Sequence, residues 1–323
     1  MLFRTDAFTT VAYFVCLLGA GSALGVAPQR TFVASYGNDT WPCSLTQPCR
    51  GFQAAINAVA AGGEVVAIDS GGYGAMEIHK SVSVIVPSGV HAGLSPSLGL
   101  PIPGHVGQST VVLIDVQNTD VVVLRGLYVT HAGTVTGGID WVSSQAGTVH
   151  IENTVVSGFP GEGLYVEASG AAGLHVKDSI FRDNYAGIWL RQTHFPGQSV
   201  QAMIDHVRSE SNSEAGILTE GPMSVTVRNS VINRNFRGIE SKASAIPGAR
   251  YTVEGCELSL NSAAFSVNTP GLGGTSIYVS GSQISFSLTG GLEIIGSNGY
   301  VYSRGNNTVV GPGTTFNVTF VPE

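Results

Sequence analysis

The sequence predicts an all-β fold: a single-stranded right-handed parallel β-helix, a solenoid, with a short N-terminal capping helix. The first observation behind this is a repeat. Anchors at Gly126, Asn153, Asp178, Asp205, Asn229, Gly255, Gly281 and Gly305 follow one another at intervals of 24 to 27 residues, and a fixed period of that length marks a stack of like units. The second is an apolar spacing of two within each unit, the signature of a strand. The third is composition. With 43 Gly and 14 Pro among 323 residues and 11% charged, the chain suits many turns around a continuous apolar interior and is unlike a charge-rich disordered segment.

The N-terminal elements come first. Arg4 precedes an apolar stretch from Val11 to Gly19, followed by Ala20, Gly21, Ser22 and Ala23. Residues 1–23 therefore read as an export signal that carries Cys16 away with it. The apolar run is short for a membrane span, and no span is expected in the mature chain. Residues 24–63 read as a cap. Within it Cys43 and Cys49 flank a short loop containing Pro48; in an exported chain this pair predicts a disulfide, with two free thiols as the alternative. Residues 51–61 read as a short helix whose Phe52, Ala55, Ile56 and Val59 share one face, placed to cover the open strand edges of the first coil. Gly62 and Gly63 end the helix, and the β-helix, residues 64–323, begins with a strand at Glu64. Residues 91–109, rich in Gly and Pro, predict a long protruding loop. The segment 306–321 is expected to close the far end.

Aligning the coils turns the repeat into columns. Two residues before the anchor stand Leu124, Ile151, Val176, Met203, Val227, Val253 and Val279; one residue after it stand Thr154, Ser179, His206, Ser230, Cys256 and Ser282. His206 and Cys256 are thus expected to fill small core positions. Arg208 falls in the apolar column of Val156, Phe181, Ile232, Leu258 and Ile284, which reads as a local bulge or a functional departure, the bulge being preferred. A second Asn column, Asn184, Asn212, Asn235 and Asn261, precedes a Gly column, Gly138, Gly163, Gly187, Gly216 and Gly238, with Ala264 and Gly291 in the same place. Asn in turns bonds local backbone and tolerates left-handed geometry, and stacked Asn residues can share hydrogen bonds from coil to coil. Gly is expected there for its conformational freedom. The next residue is apolar in every coil, from Ile139 to Leu292. Strand alternation then points the first and third residues after the Gly inward and the second and fourth outward. Helical repeats fail this pattern, since the apolar period is not that of a helix.

On these columns, and on the N-terminal block of Thr31–Ser35, Cys43 to Cys49, the short helix and Asp69–Gly74, the chain resembles the right-handed parallel β-helix group of the pectin-lyase-like superfamily, in particular exported bacterial members with no assigned activity. The superfamily includes polysaccharide lyases, glycoside hydrolases, epimerases, adhesins and tailspikes, so the resemblance implies a fold rather than a reaction. Asn118-Thr119-Asp120 matches the first motif of polygalacturonase-like enzymes, but no Asp-Asp, Gly-His-Gly or Arg-Ile-Lys follows, and it reads as a turn. A pectate-lyase-like calcium site needs several converging carboxylates, and no run supplies them.

What remains is the outward face of the strand after each Gly, which in related enzymes forms a saccharide groove. Asp140, Tyr165, Trp189, Leu218 and Glu240 hold second positions there; Glu167, Arg191, Glu220 and Lys242 hold fourth positions on consecutive rungs, about 4.8 Å apart. One reading is a surface ladder of alternating charge, each exposed pair contributing roughly 0.2–1 kcal/mol. The other is a glycan groove, in which Tyr165 and Trp189 present flat faces to sugar rings and Arg191 or Lys242 binds uronate carboxylates. Glu167 and Glu220, two rungs or about 9.6 Å apart, could reach the separation of about 6.5–9.5 Å used by inverting glycosidases. Arg191 between them would keep both ionised, which a general acid cannot be.

The leading functional expectation is an exported, secreted or periplasmic, protein that binds a polysaccharide or cell-surface glycan along this face. The alternatives are a lyase or hydrolase acting on uronate-containing glycans, and a structural or adhesin rod. A net charge of -7 gives no footprint for nucleic acid. The His residues, including His79, His91, His105, His131, His150, His175 and His194, show no metal-ligand spacing, and no cofactor is expected. Oligomeric state is left open.

Overall fold

The computed structural model describes residues 26–323, apart from 169–170, 193–199, 243–247, 270–273, 287–291, 297, 312–317 and 320–323; the expected export signal lies outside the described residues. Among the described residues the chain winds into three sheets of 12, 10 and 10 strands, parallel but for one short antiparallel pairing in the third. A complete coil contributes one strand to each sheet. In one coil, for example, these are Thr148–Glu152, Val155–Ser157 and Glu162–Ala168. Each strand pairs in parallel with its equivalent one coil later, as in Ile151 with Val176 and Leu164 with Ile188. Residues such as Ile139, Leu164, Ile188, Ile217 and Ile239 are fully buried, which the Gly-apolar column predicted. One coil alone buries little, and stacking makes the core.

Two tight turns per coil are set by residues in the left-handed region. The first includes Gly126, Asn153, Asp178, His206, Asn229, Gly255, Gly281 and Gly305, with φ between 47° and 79°. This corrects the anchor at Asp205. One coil is a residue longer before its turn, so Asp178 is matched by His206, and the column positions that follow move by one. His206 is consequently exposed on the turn, with Val207 buried behind it. Ile204 takes the core place expected for Met203, and Ser209, paired with Phe181, takes the place expected for Arg208, which is exposed. Neither a core histidine nor a bulge at Arg208 is needed.

The second turn uses Asp183, Ser211, Arg234 and Leu260 in the left-handed region, each followed by a ladder Asn. The Asn side chains are buried and joined along the axis: Asn184 Nδ2 donates to Asn212 Oδ1 at 3.3 Å, Asn212 to Asn235 at 2.9 Å and Asn235 to Asn261 at 3.2 Å. The column glycines that follow do not have positive φ. They are needed because a Cβ on Gly163 would lie 2.8 Å from the Gly187 carbonyl oxygen and 2.8 Å from Asn184 Nδ2. The backbone of the next coil and the Asn ladder leave no room for a side chain.

The N-terminal cap carries the expected disulfide, Cys43–Cys49, and the helix α1, Phe52–Ala58, with Phe52, Ala55 and Ile56 buried. The first sheet begins before this helix, since Arg30–Val33 pairs in parallel with Gly63–Ala67. Cys256 is buried and free, as the column implied, and Asn118–Thr119 form a turn. The segment expected to protrude at 91–109 instead adds Ala92–Leu94 to the second sheet and runs back over the third. There Leu100–Pro101 pairs antiparallel with Ser109–Thr110. At the far end, Thr308–Val310 and Val318–Thr319 continue the second and first sheets.

Candidate functional site

The residues singled out on the outward strand face do come together, on the outer side of the third sheet. Asp140, Tyr165, Trp189, Leu218 and Glu240 pair in sequence across adjacent strands, as do Glu167, Arg191, Glu220 and Lys242. The charge ladder is centred on Arg191. Its Nη1 lies 4.0 Å from Glu167 Oε2 and its Nε 3.4 Å from Glu220 Oε2. Arg191 also donates to the Tyr165 hydroxyl at 3.4 Å, which in turn donates to Glu167 Oε2 at 2.7 Å. The bond to Tyr165, with Glu167 and Glu220 alongside, holds the guanidinium above its ordinary range. It is a fixed cation here, not a base. Lys242 turns to Glu240 at 3.5 Å and Glu214 at 3.7 Å.

The face is more covered than simple alternation suggests. Tyr165 and Glu240 are each only 2% exposed. Tyr165 therefore offers no open ring face; it packs edge-on against Trp189, with centroids 5.5 Å apart. Trp189 itself is half-buried, and Arg191 keeps 35% of its side chain exposed. Part of the cover is the returning strap at 98–108. His105 Nε2 sits 3.1 Å from Glu167 Oε2 and its ring meets Tyr165 edge-on, while Ile102 is buried beneath.

Sequence reasoning missed three participants and the burial of a fourth. His105 lies in a Gly- and Pro-rich stretch with no periodic signal, and only the fold shows where it lands. Asp140 was in the outward column but is fully buried, beside a Thr110 hydroxyl that also bonds to the Val112 and Gly138 carbonyls. Burial first, and the nearby Glu162 second, push its pKa well above its ordinary 3.8, against the Thr110 hydroxyl, because burial penalises the ionised form. Burial raises Glu162 as well. Arg237 binds Glu214 at 2.7 Å, Glu293 at 3.0 Å and Glu240 at 3.6 Å. Glu162 and Arg237 each stand just before a column Gly, where pairing skips a residue. The outward columns were counted from the Gly onward, so the residues before it were left out.

Among the described residues no group of three His, Cys, Asp or Glu could hold a metal ion, and no helix is long and apolar enough to cross a membrane. The structure is similar to pectate lyase Pel9A, with TM-score 0.67 and 18% identity over 91% of this chain and 79% of that one. It is also similar to XylC in its complex with xylose, with TM-score 0.52 and 9% identity over 82% and 69%. A rhamnogalacturonan lyase gives TM-score 0.50 and 13% identity over 90% and 84%. At such identities the likeness is one of fold. No curated protein sequence matches the chain. Residues 112–308 match the family model described as a right handed beta helix region, and the chain belongs to the right-handed β-helix family.

Proposed function

We propose that this is an exported protein that binds a neutral or amino-sugar polysaccharide along the outer face of the third sheet, with Trp189 as the stacking surface. The observation that carries the reading is the state of the charges around Trp189. Arg191, Arg237 and Lys242 are each engaged by two or more carboxylates, so a polyuronate would have to displace existing partners and meet Glu167, Glu220 and Glu293 as like charges. A sugar without carboxylates stacks on an indole and bonds with flanking ionic groups at no such cost. Similarity in fold to a pectate lyase, a xylose complex and a rhamnogalacturonan lyase supports a glycan in general.

A second reading, glycoside hydrolysis, is favoured by one observation: Asp140, whose pKa burial raises, stands one rung from Tyr165, in the strand next to Glu167. Two carboxyls whose environments differ, one of them with a raised pKa, are the pattern of an acid and its partner in glycosidases. Incubation of the protein with chitin, cellulose and pectate gels, followed by chromatography of the supernatant, separates the readings. Retention on chitin or cellulose without soluble products supports binding alone. Release of reducing sugars that stops in Asp140→Asn supports hydrolysis. Retention on pectate only would contradict the proposed ligand class.

A further inference from the structure

The outer face of the first sheet carries a column that the glycan reading does not use. Strand pairing sets His150 beside His175 and His175 beside Met203. Two imidazoles and a thioether thus occupy one column on three consecutive rungs, spaced about 4.8 Å. The two rings lie parallel within 8°, with centroids 4.6 Å apart. Met203 is 39% exposed. A shallow depression beside it is lined by Gly173, His175, Gln201, Met203, Ser224 and Thr226. Gly173 stands two residues before His175 on the same strand face.

The geometry points to a site for a soft monovalent metal ion, Cu(I), held by His150, His175 and Met203. The donor set makes the choice of ion. Thioether sulfur selects Cu(I), and imidazole serves copper equally well. Zinc sites draw on Cys, His and carboxylate ligands, commonly four, and this column provides no third donor of those kinds. Spacing agrees. At a metal–imidazole distance of roughly 2 Å, two nitrogens sharing one ion stand up to about 4 Å apart, within reach of side chains on rungs about 4.8 Å apart, whereas the rings now stack face to face with their in-plane lone pairs parallel. Rotation of the two rings toward a common point is the adjustment required.

The surrounding charge is balanced. Arg228 Nη2 lies 3.7 Å from Met203 Sδ, but the same guanidinium is 3.6 Å from Asp205 Oδ2. Glu152, two residues from His150, pairs with Arg125 at 2.7 Å. The histidines are 25 positions apart in the sequence, which is why linear ligand spacing does not show them; the coil length brings them together. The site lies on a different sheet from the glycan face, and neither depends on the other.

An anaerobic titration of the full protein with Cu(I), in competition with a chromogenic bicinchoninate chelator, tests the assignment. One ion per chain is expected. Affinity should fall at least tenfold in His175→Ala and at least tenfold in Met203→Leu, and stay unchanged in Cys256→Ser, which removes the free thiol. Met203→Leu keeps the size and apolar character of an exposed side chain, so it remains informative should His175→Ala fail to fold by circular dichroism. Absence of binding against the chelator, equal affinity in Met203→Leu, or loss of binding in Cys256→Ser would each overturn the site.

Discussion

Asp140 is a fully buried carboxyl with Glu162 nearby and the Thr110 hydroxyl to favour its charged form. Its chemistry makes a prediction at the scale of one residue. Because the folded-state pKa is raised above the ordinary 3.8, the folded chain binds a proton that the unfolded chain releases. Stability is then highest below the unfolded value and falls as pH rises toward the folded one. Asp140→Asn keeps the shape and removes the ionisation. Denaturant midpoints of the variant and the wild type should coincide near pH 4 and separate by pH 7 in favour of the variant. Equal pH dependence in the two proteins would show that Asp140 is not the group concerned, leaving Glu162 and Glu240, which burial also raises. Asp140 could be found from the sequence as an outward column member, but its burial could not. The cover of the neighbouring Tyr165 comes in part from the strap at 98–108, whose composition signals a loop and not where the loop lies.

At the scale of an element, the Asn ladder and the charge ladder look alike as columns but differ in burial. Asn212 donates to Phe181 O at 3.3 Å, Ser209 Oγ at 3.1 Å and Asn235 Oδ1 at 2.9 Å, and accepts from the Asn184 backbone N–H at 3.1 Å. Asn212→Ala strands several buried polar groups, each costing on the order of 1–3 kcal/mol, and should destabilise the protein by about 3 kcal/mol or more. Glu220→Ala removes one partner of a half-exposed Arg191 and should cost under about 1 kcal/mol. Urea denaturation of both variants measures the contrast; similar losses would refute the ranking. Both ladders were legible in the sequence, because a period-two strand and a repeat length fix which residues stack. The coil containing His206 was misaligned because a single extra residue before a turn leaves no compositional mark, and Asp205 resembles an anchor as closely as His206 does.

The whole molecule is quasi-one-dimensional, each coil stabilised by its neighbours, and its ends are where stacking stops. Helix α1 covers the first end with Phe52, which is fully buried against Tyr73 at 5.1 Å between rings. Phe52→Ala should cost about 3–5 kcal/mol, and the loss should be local. Hydrogen exchange is expected to speed up in Arg30–Val33, Gly63–Ala67 and Met76–Ile78 while Ala215–Glu220 and Arg237–Lys242 keep their protection. Uniform loss of protection would mean that the stack unfolds as one unit.

The claim that the outer face of the third sheet is the working surface is tested most directly by isothermal titration of chito- and cello-oligosaccharides into three proteins: wild type, Trp189→Ala, and Tyr300→Ala, whose changed residue is 40% exposed on the first sheet. Wild type and Tyr300→Ala should bind one of these ligands equally, with affinity at least tenfold lower in Trp189→Ala. Binding that survives in Trp189→Ala and disappears in Tyr300→Ala would place the glycan on the wrong sheet for this account.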